Sequence, residues 1–270
     1  MTFASIMVAV DLGPQVRHRV RLSGHLADAF QARLIGVAAE TPAYAVPPVG
    51  PTPGSAFALS ASSEAVLQDL KRAHAAFEEA AGPRARVEWR SNLEFPLPFL
   101  IAQAAAADLV VVGSKDEAGA GLFAVDPGDA VMHLGRPVLV VPPEVDHCDA
   151  RHVVVGWKNT REARRAVRDA LPFLKRAAQV VVLSVDEGDG AAQVRDVVGF
   201  LEAHAVPVTA LQRESGGARV GTVLVEAAAE HGADLVVTGA YGHTRLREWA
   251  FGGVTRDLQA GAPICCLMSH

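Results

Sequence analysis

The 270-residue chain is half hydrophobic and one-fifth charged, with a formal net charge of −5. Such a composition belongs to a well-packed protein of one or two domains, and without a basic excess nucleic acid is not the expected partner. Three cysteines, Cys148, Cys265 and Cys266, are too few for a disulfide framework and have no metal-ligand spacing, so a reducing, cytoplasmic setting is expected.

The opening "MTFASIMVAVDLGPQ" has no basic start, and Asp11 closes its apolar run, so it does not read as a secretory leader. No apolar run approaches the ~20 residues of a membrane-spanning helix. "IMVAVD" reads as a first strand ending at Asp11, followed by an Arg-rich helical stretch and a second strand, "ARLIGVAA". Residues 41–62, "TPAYAVPPVGPTPGSAFALSAS", are rich in Pro and Gly and predict a long loop, either a flap or a surface insertion. Helical composition over 62–81, 97–107 and 128–135 then alternates with strands "RARVEWR", "ADLVVVGS" and "RPVLVVPP". The composition turns polar near 143–151, which marks a boundary between a domain at 1–145 and another at 150–270.

The second part repeats the first. "VVVGWK" ends at Lys158 and leads into "TREARRAVRDALPFLKRA", where Ala163, Ala166, Val167, Ala170, Leu171 and Leu174 form a stripe at helical spacing. Arg161, Arg164, Arg165 and Arg168 fall on the opposite side, as a solvated face would. Strands "AQVVVLSVD", "VPVTALQR", "ADLVVTGA" and "APICCLMS" follow, with helices expected at 190–205, 220–232 and 254–261. Short β-branched runs alternating with helices predict an α/β fold, with a doubly wound parallel sheet of five strands in each half. Ligands of such sheets bind beyond the strand carboxyl ends.

"LVVTGAYGHTRLREWAFGGVTRDL" places Gly239, Gly242, Gly252 and Gly253 between the fourth strand of the second half and a helix. Glycines admit close backbone approach, and helix starts present free amides, so the segment suits an anion; Thr255, His243, Arg245 and Arg247 add polar groups. Tight turns alone would place glycines there too. The ten histidines form no HxH or HExxH group, and neither a GxSxG nor a GxxxxGK[ST] pattern occurs, so no enzyme is indicated. Cys265 and Cys266 are adjacent in a strand and face opposite sides, which fits two small buried hydrophobes better than a vicinal disulfide.

The duplicated strand-turn-helix openings, together with "GAYGHTRLREWAFGGVT", resemble the universal stress protein family. Its nucleotide-binding members carry Gly, two residues, Gly, nine residues, Gly, then Gly or Ser, the spacing met by Gly239, Gly242, Gly252 and Gly253. The resemblance covers both halves and implies a tandem member: two doubly wound domains related to the adenine-nucleotide alpha hydrolases, each with strand order 3-2-1-4-5. It implies ATP or a related adenine nucleotide, with Mg alongside, as ligand. Phosphate and ribose contacts would then come from Gly239, Gly242, Gly252, Gly253, Val254 and Thr255, and adenine would lie near Val185, Gly156 and Trp157. Family members usually end the first strand with an aspartate near the ribose; here Lys158 stands there, either to meet a phosphate or to turn into solvent. Trp157 either narrows the adenine cleft or belongs to the core.

The first half departs in the opposite way. It keeps Asp11, but Asp116, Asp126 and Pro127 replace the later glycines, with Asp129 nearby. Two like charges at ~4 Å repel by about 4 kcal/mol at an effective dielectric near 20, so this half is not expected to hold a phosphate. In this family fifth strands pair across a dimer; in a tandem chain the halves can pair with each other, leaving a homodimer neither required nor forbidden. The resemblance implies a cytoplasmic stress-response protein in which the ligand acts as a switch on docking to a protein partner. The alternatives are a ligand-free interaction scaffold and, third, a weakly ATP-hydrolysing enzyme.

Overall fold

The computed structural model describes residues 2–42, 53–114, 124–143, 145–185, 190–240 and 264–270. The first half runs β1 (Ser5–Ala9), α1 (Val16–Phe30), β2 (Arg33–Ala39), α2 (Pro53–Ala81), β3 (Val87–Asn92), α3 (Pro96–Gln103), β4 (Leu109–Gly113), α4 (Pro127–His133) and β5 (Val138–Val141). The second runs β6 (His152–Gly156), α5 (Arg161–Asp169), α6 (Leu171–Leu174), β7 (Gln179–Val185), α7 (Gly190–Ala203), β8 (Val208–Arg213), α8 (Val220–Glu230), β9 (Leu235–Gly239) and β10 (Cys265–Ser269).

The strands form one sheet in the order β3-β2-β1-β4-β5-β10-β9-β6-β7-β8. Each half therefore has the order 3-2-1-4-5. The two five-stranded parallel units expected are present, and they join through their fifth strands into one ten-stranded mixed sheet. The junction is antiparallel, with Leu139 opposite Leu267 and Met268 opposite Val138. β5 and β10 are buried along their whole length, and an apolar strand left as an open edge would have to be covered or paired. Their mutual pairing satisfies both backbones. The outer edges fall instead to β3 and β8, which are only partly buried; on β3, Glu88 pairs with Arg33 at 3.0 Å and Arg90 at 2.7 Å.

The period-two pattern divides the strands' buried residues between two faces. On one face Ile6, Val8, Leu139, Val155 and Leu267 pack against α1, α2, α5, α6 and α7; on the other Met7, Val110, Val138, Val154 and Cys266 pack against α3, α4 and α8. Phe3, Phe30 and Phe173 join the halves on the first face as an edge-to-face trio with centroids 5.0–5.2 Å apart. The repeated Ala-Asp before β4 and β9 has one purpose twice. Asp108 accepts the amides of Ala4 (2.7 Å) and Ser5 (3.0 Å), and Asp234 those of Ala150 (2.7 Å) and His152 (3.4 Å), anchoring the start of β1 and β6.

Two local expectations are corrected. Helix α2 begins at Pro53, inside the segment read as a loop through residue 62. A proline in the first helical turn lacks only an amide that has no partner there anyway, so Pro53 starts the helix rather than preventing it. The single helix expected over 160–177 breaks at Ala170 into α5 and α6, because Pro172 lacks the amide a continuous helix needs. The helix expected at 254–261 lies outside the described residues.

Candidate functional site

The carboxyl ends of β6, β7 and β9 form one edge of the second half. Gly156 lies opposite Leu183 on β7 and Thr238 on β9, and the Trp157 amide continues the ladder to the Leu183 carbonyl at 2.8 Å. In this register Lys158 stands level with Val185. Trp157 is buried and belongs to the cluster beneath α5–α7, which places its ring in the core. Its indole Nε1 is nevertheless buried with no acceptor among the described residues. Such an orphaned donor costs about 1–3 kcal/mol unless something meets it. Lys158 is exposed and makes no ion pair among the described residues. Its carbonyl accepts the Thr160 amide, and Thr160 caps α5 by accepting the Ala163 amide at 3.3 Å.

Gly239 ends β9 as expected. A Cβ there would lie 2.4 Å from the Ala163 nitrogen and 2.6 Å from the Glu162 carbonyl carbon. The group that approaches Gly239 is the first turn of α5, so helix–strand packing by itself accounts for the missing side chain. The first turn also carries Glu162, which is buried. Burial raises its carboxyl, but its own backbone amide, the Thr160 hydroxyl and Arg161 outweigh that and hold it below the ordinary value. A Cβ on Gly156 would meet only the Leu224 methyls, the nearer at 2.9 Å. Gly242, Gly252, Gly253, Val254 and Thr255 lie outside the described residues.

The first half closes its own edge. Asp11 occupies the position of Lys158: both stand two residues beyond their strand, after a residue whose amide continues the ladder at 2.8 Å, Val10 to Val37 and Trp157 to Leu183. Asp11 is buried, accepts the Gly13 amide at 2.9 Å and pairs with Arg19, itself 1% exposed; Arg19 also donates to the Ala9 carbonyl at 3.1 Å. Buried Val16, Arg19, Val20 and Ser23 of α1 are in step with Ala163, Ala166, Val167 and Ala170 of the second half. Lys158 and Ala166 thus replace both members of a buried ion pair. No uncompensated charge remains, and a lysine is released to the surface. At the start of α4, Asp126 accepts the amides of Gly128 (2.8 Å) and Asp129 (3.2 Å). A side-chain carboxylate thus occupies the helix-start amides that an external anion would use, and Pro127 supplies none. Asp116 lies outside the described residues.

Asp11 and Gly239 lie at opposite edges of the sheet. The antiparallel β5–β10 junction turns the strand carboxyl ends of the two halves to opposite edges of the sheet. β1 and β6 are also separated by five strand spacings, about 24 Å. Sequence reasoning missed Arg19. The only available signal was an arginine at a position in step with the helix's apolar stripe.

The universal stress protein family model matches residues 2–142 and again 150–270. A universal stress protein from Archaeoglobus fulgidus superposes with a TM-score of 0.67 at 13% identity, covering 98% of this chain and 96% of that one. A putative universal stress protein from Pseudomonas aeruginosa UCBPP-PA14 does so with a TM-score of 0.52 at 14% identity, over 99% and 93%. A universal stress protein in complex with cAMP aligns with 44% of this chain and 96% of its own, at 24% identity and a TM-score of 0.37. No curated protein matches the chain significantly. Two matches, one to each half of a continuous ten-stranded sheet, make this chain a member of the universal stress protein family with the family unit present twice.

Proposed function

We propose that this protein is a cytoplasmic stress-response protein whose second half binds an adenine nucleotide, and that binding switches its docking to a protein partner. The observation that carries the reading is the contrast between the two carboxyl edges. In the first half Arg19 neutralises Asp11 and Asp126 caps its own helix. In the second, Lys158 is exposed beside a buried indole N–H with no acceptor among the described residues. A phosphate suits the lysine, which can donate but cannot accept from a ribose hydroxyl as the family's aspartate does. Gly156 and Val185 would line the base, with Trp157 beneath them in the core. Gly242, Gly252, Gly253, Val254 and Thr255 would supply amides and a hydroxyl to the phosphates, with Gly239 fixing α5 beside them. Mg would enter together with the nucleotide's phosphates.

The test is calorimetric titration of the full chain with ATP, ADP and cAMP, with and without Mg. ATP should bind, Gly252→Asp should abolish binding, and Lys158→Glu should weaken it about tenfold, or ~1.4 kcal/mol. Failure of all three nucleotides to bind the unmutated protein would refute the reading. One observation favours a second reading, a ligand-free scaffold: packing against α5 explains Gly239 without any ligand. On that reading Gly252→Asp leaves partner capture unchanged.

A further inference from the structure

The segment joining β5 to β6 brings Cys148 under the second half of the sheet, where its thiol donates to the Asp234 carbonyl at 3.6 Å. Cys265, the first residue of β10, pairs in register with Leu235, the next residue along. Both cysteines therefore flank one short stretch of backbone at the start of β9. They also share one packed cluster on the α1 and α5 face, whereas Cys266 points into the cluster on the opposite face. All three are free thiols.

Among the described residues, Cys148 has a route to solvent. It is 4% exposed and lines a cleft of about 300 Å³ between α1 and α6, together with His25, Asp149, Arg151 and Arg176. Arg176 is held on that wall by the Ala29 carbonyl and by the Phe30 ring, 4.9 Å from its guanidinium carbon. That cleft gives a small oxidant such as hydrogen peroxide a path to the Cys148 sulfur. We propose that Cys148 and Cys265 are a peroxide-responsive thiol pair that closes into a disulfide between the inter-half connector and the seam strand β10.

The Cys148 thiolate attacks one peroxide oxygen and breaks the O–O bond. This gives a sulfenic acid and a hydroxide, which takes up the proton Cys148 has shed. The Cys265 sulfur then displaces the sulfenic oxygen, which leaves as water with the Cys265 proton. Two thiols and one hydrogen peroxide become one disulfide and two waters. A hydrogen bond to Cys148, then burial, holds the Cys265 thiol well above its ordinary range; its contact with Cys148, not its acidity, places it as the second sulfur. Burial pushes Cys266 up to about 12 on the far face, so it stays a bystander. Because β10 pairs with β5 of the other half, the new bond would fasten the connector to the junction of the two halves.

The full chain, reduced and desalted, is exposed to hydrogen peroxide; remaining thiols are then blocked in denaturant, and the protein is examined by intact mass and peptide mapping. The expected result is loss of two of the three thiols, a linked Cys148–Cys265 peptide pair within one chain, and recovery with dithiothreitol. Cys266→Ser should behave like the unmutated protein, and Cys148→Ser and Cys265→Ser should each form no bond. Retention of all three thiols, over-oxidised Cys148 without a linked peptide, a bond to Cys266 or a bond between chains would each overturn the proposal. The mapping is decisive on the unmutated protein, so a variant that fails to fold does not leave the question open.

Discussion

Gly239→Ala separates packing from ligand access at the most conspicuous glycine of the second half. The added methyl would stand 2.4 Å from a backbone nitrogen, against an ordinary contact of 3.4 Å or more, so the first turn of α5 must withdraw by about 1 Å (3.4 − 2.4). Neither clashing group is a side chain that can rotate away. Overpacking of this kind costs roughly 1–3 kcal/mol, and straining the Thr160 cap on the same turn adds up to about 1 kcal/mol, for a total of about 1–4 kcal/mol. Gly156→Ala is the internal control. Its methyl meets only the tip of Leu224, at 2.9 Å, so it should cost about 0.5–1.5 kcal/mol, the price of a displaced rotamer. Urea unfolding of the full chain without ligand measures both. Equal stability losses in the two variants, or a smaller one at Gly239, would refute the packing argument and return Gly239 to the ligand.

Two further outcomes follow from buried charges. Arg19→Met strands the buried Asp11 carboxylate with the Gly13 amide as its other partner and should cost about 3–5 kcal/mol in urea unfolding; Asp11→Asn with Arg19→Met should recover most of that, and equal losses in the single and double variants would argue against a buried pair. Burial raises the Asp169 carboxyl above its ordinary 3.8, despite the Ser269 hydroxyl donating to it at 2.8 Å and Arg165 nearby. Its folded form therefore holds the proton more tightly than the unfolded chain, and stability present below 3.8 is lost as pH rises through the folded value. Asp169→Asn keeps an acceptor for Ser269, so it should raise the thermal midpoint at pH 7 relative to the unmutated protein, and that relative gain should shrink as pH falls toward 3.8; a gain independent of pH would contradict the assignment.

Local chemistry alone determined the duplication, the strand runs and most helices, because β-branched runs and helical stripes are properties of neighbours in the chain; the order 3-2-1-4-5 in each half came from the family resemblance. Asp126 and Pro127 were also legible as the wrong residues for a phosphate cradle, since a carboxylate and a missing amide act wherever they stand. Contacts distant in sequence decided the rest. Arg19 neutralises Asp11, Trp157 leaves an indole N–H without an acceptor in the core, and Gly239 yields its space to a helix turn that begins almost 80 residues earlier in the chain (239 − 161 = 78). The antiparallel pairing of β5 with β10 mattered most. It turned the carboxyl edges of the two halves toward opposite sides of the sheet, because hydrogen-bond direction across a junction is set by how two distant strands meet.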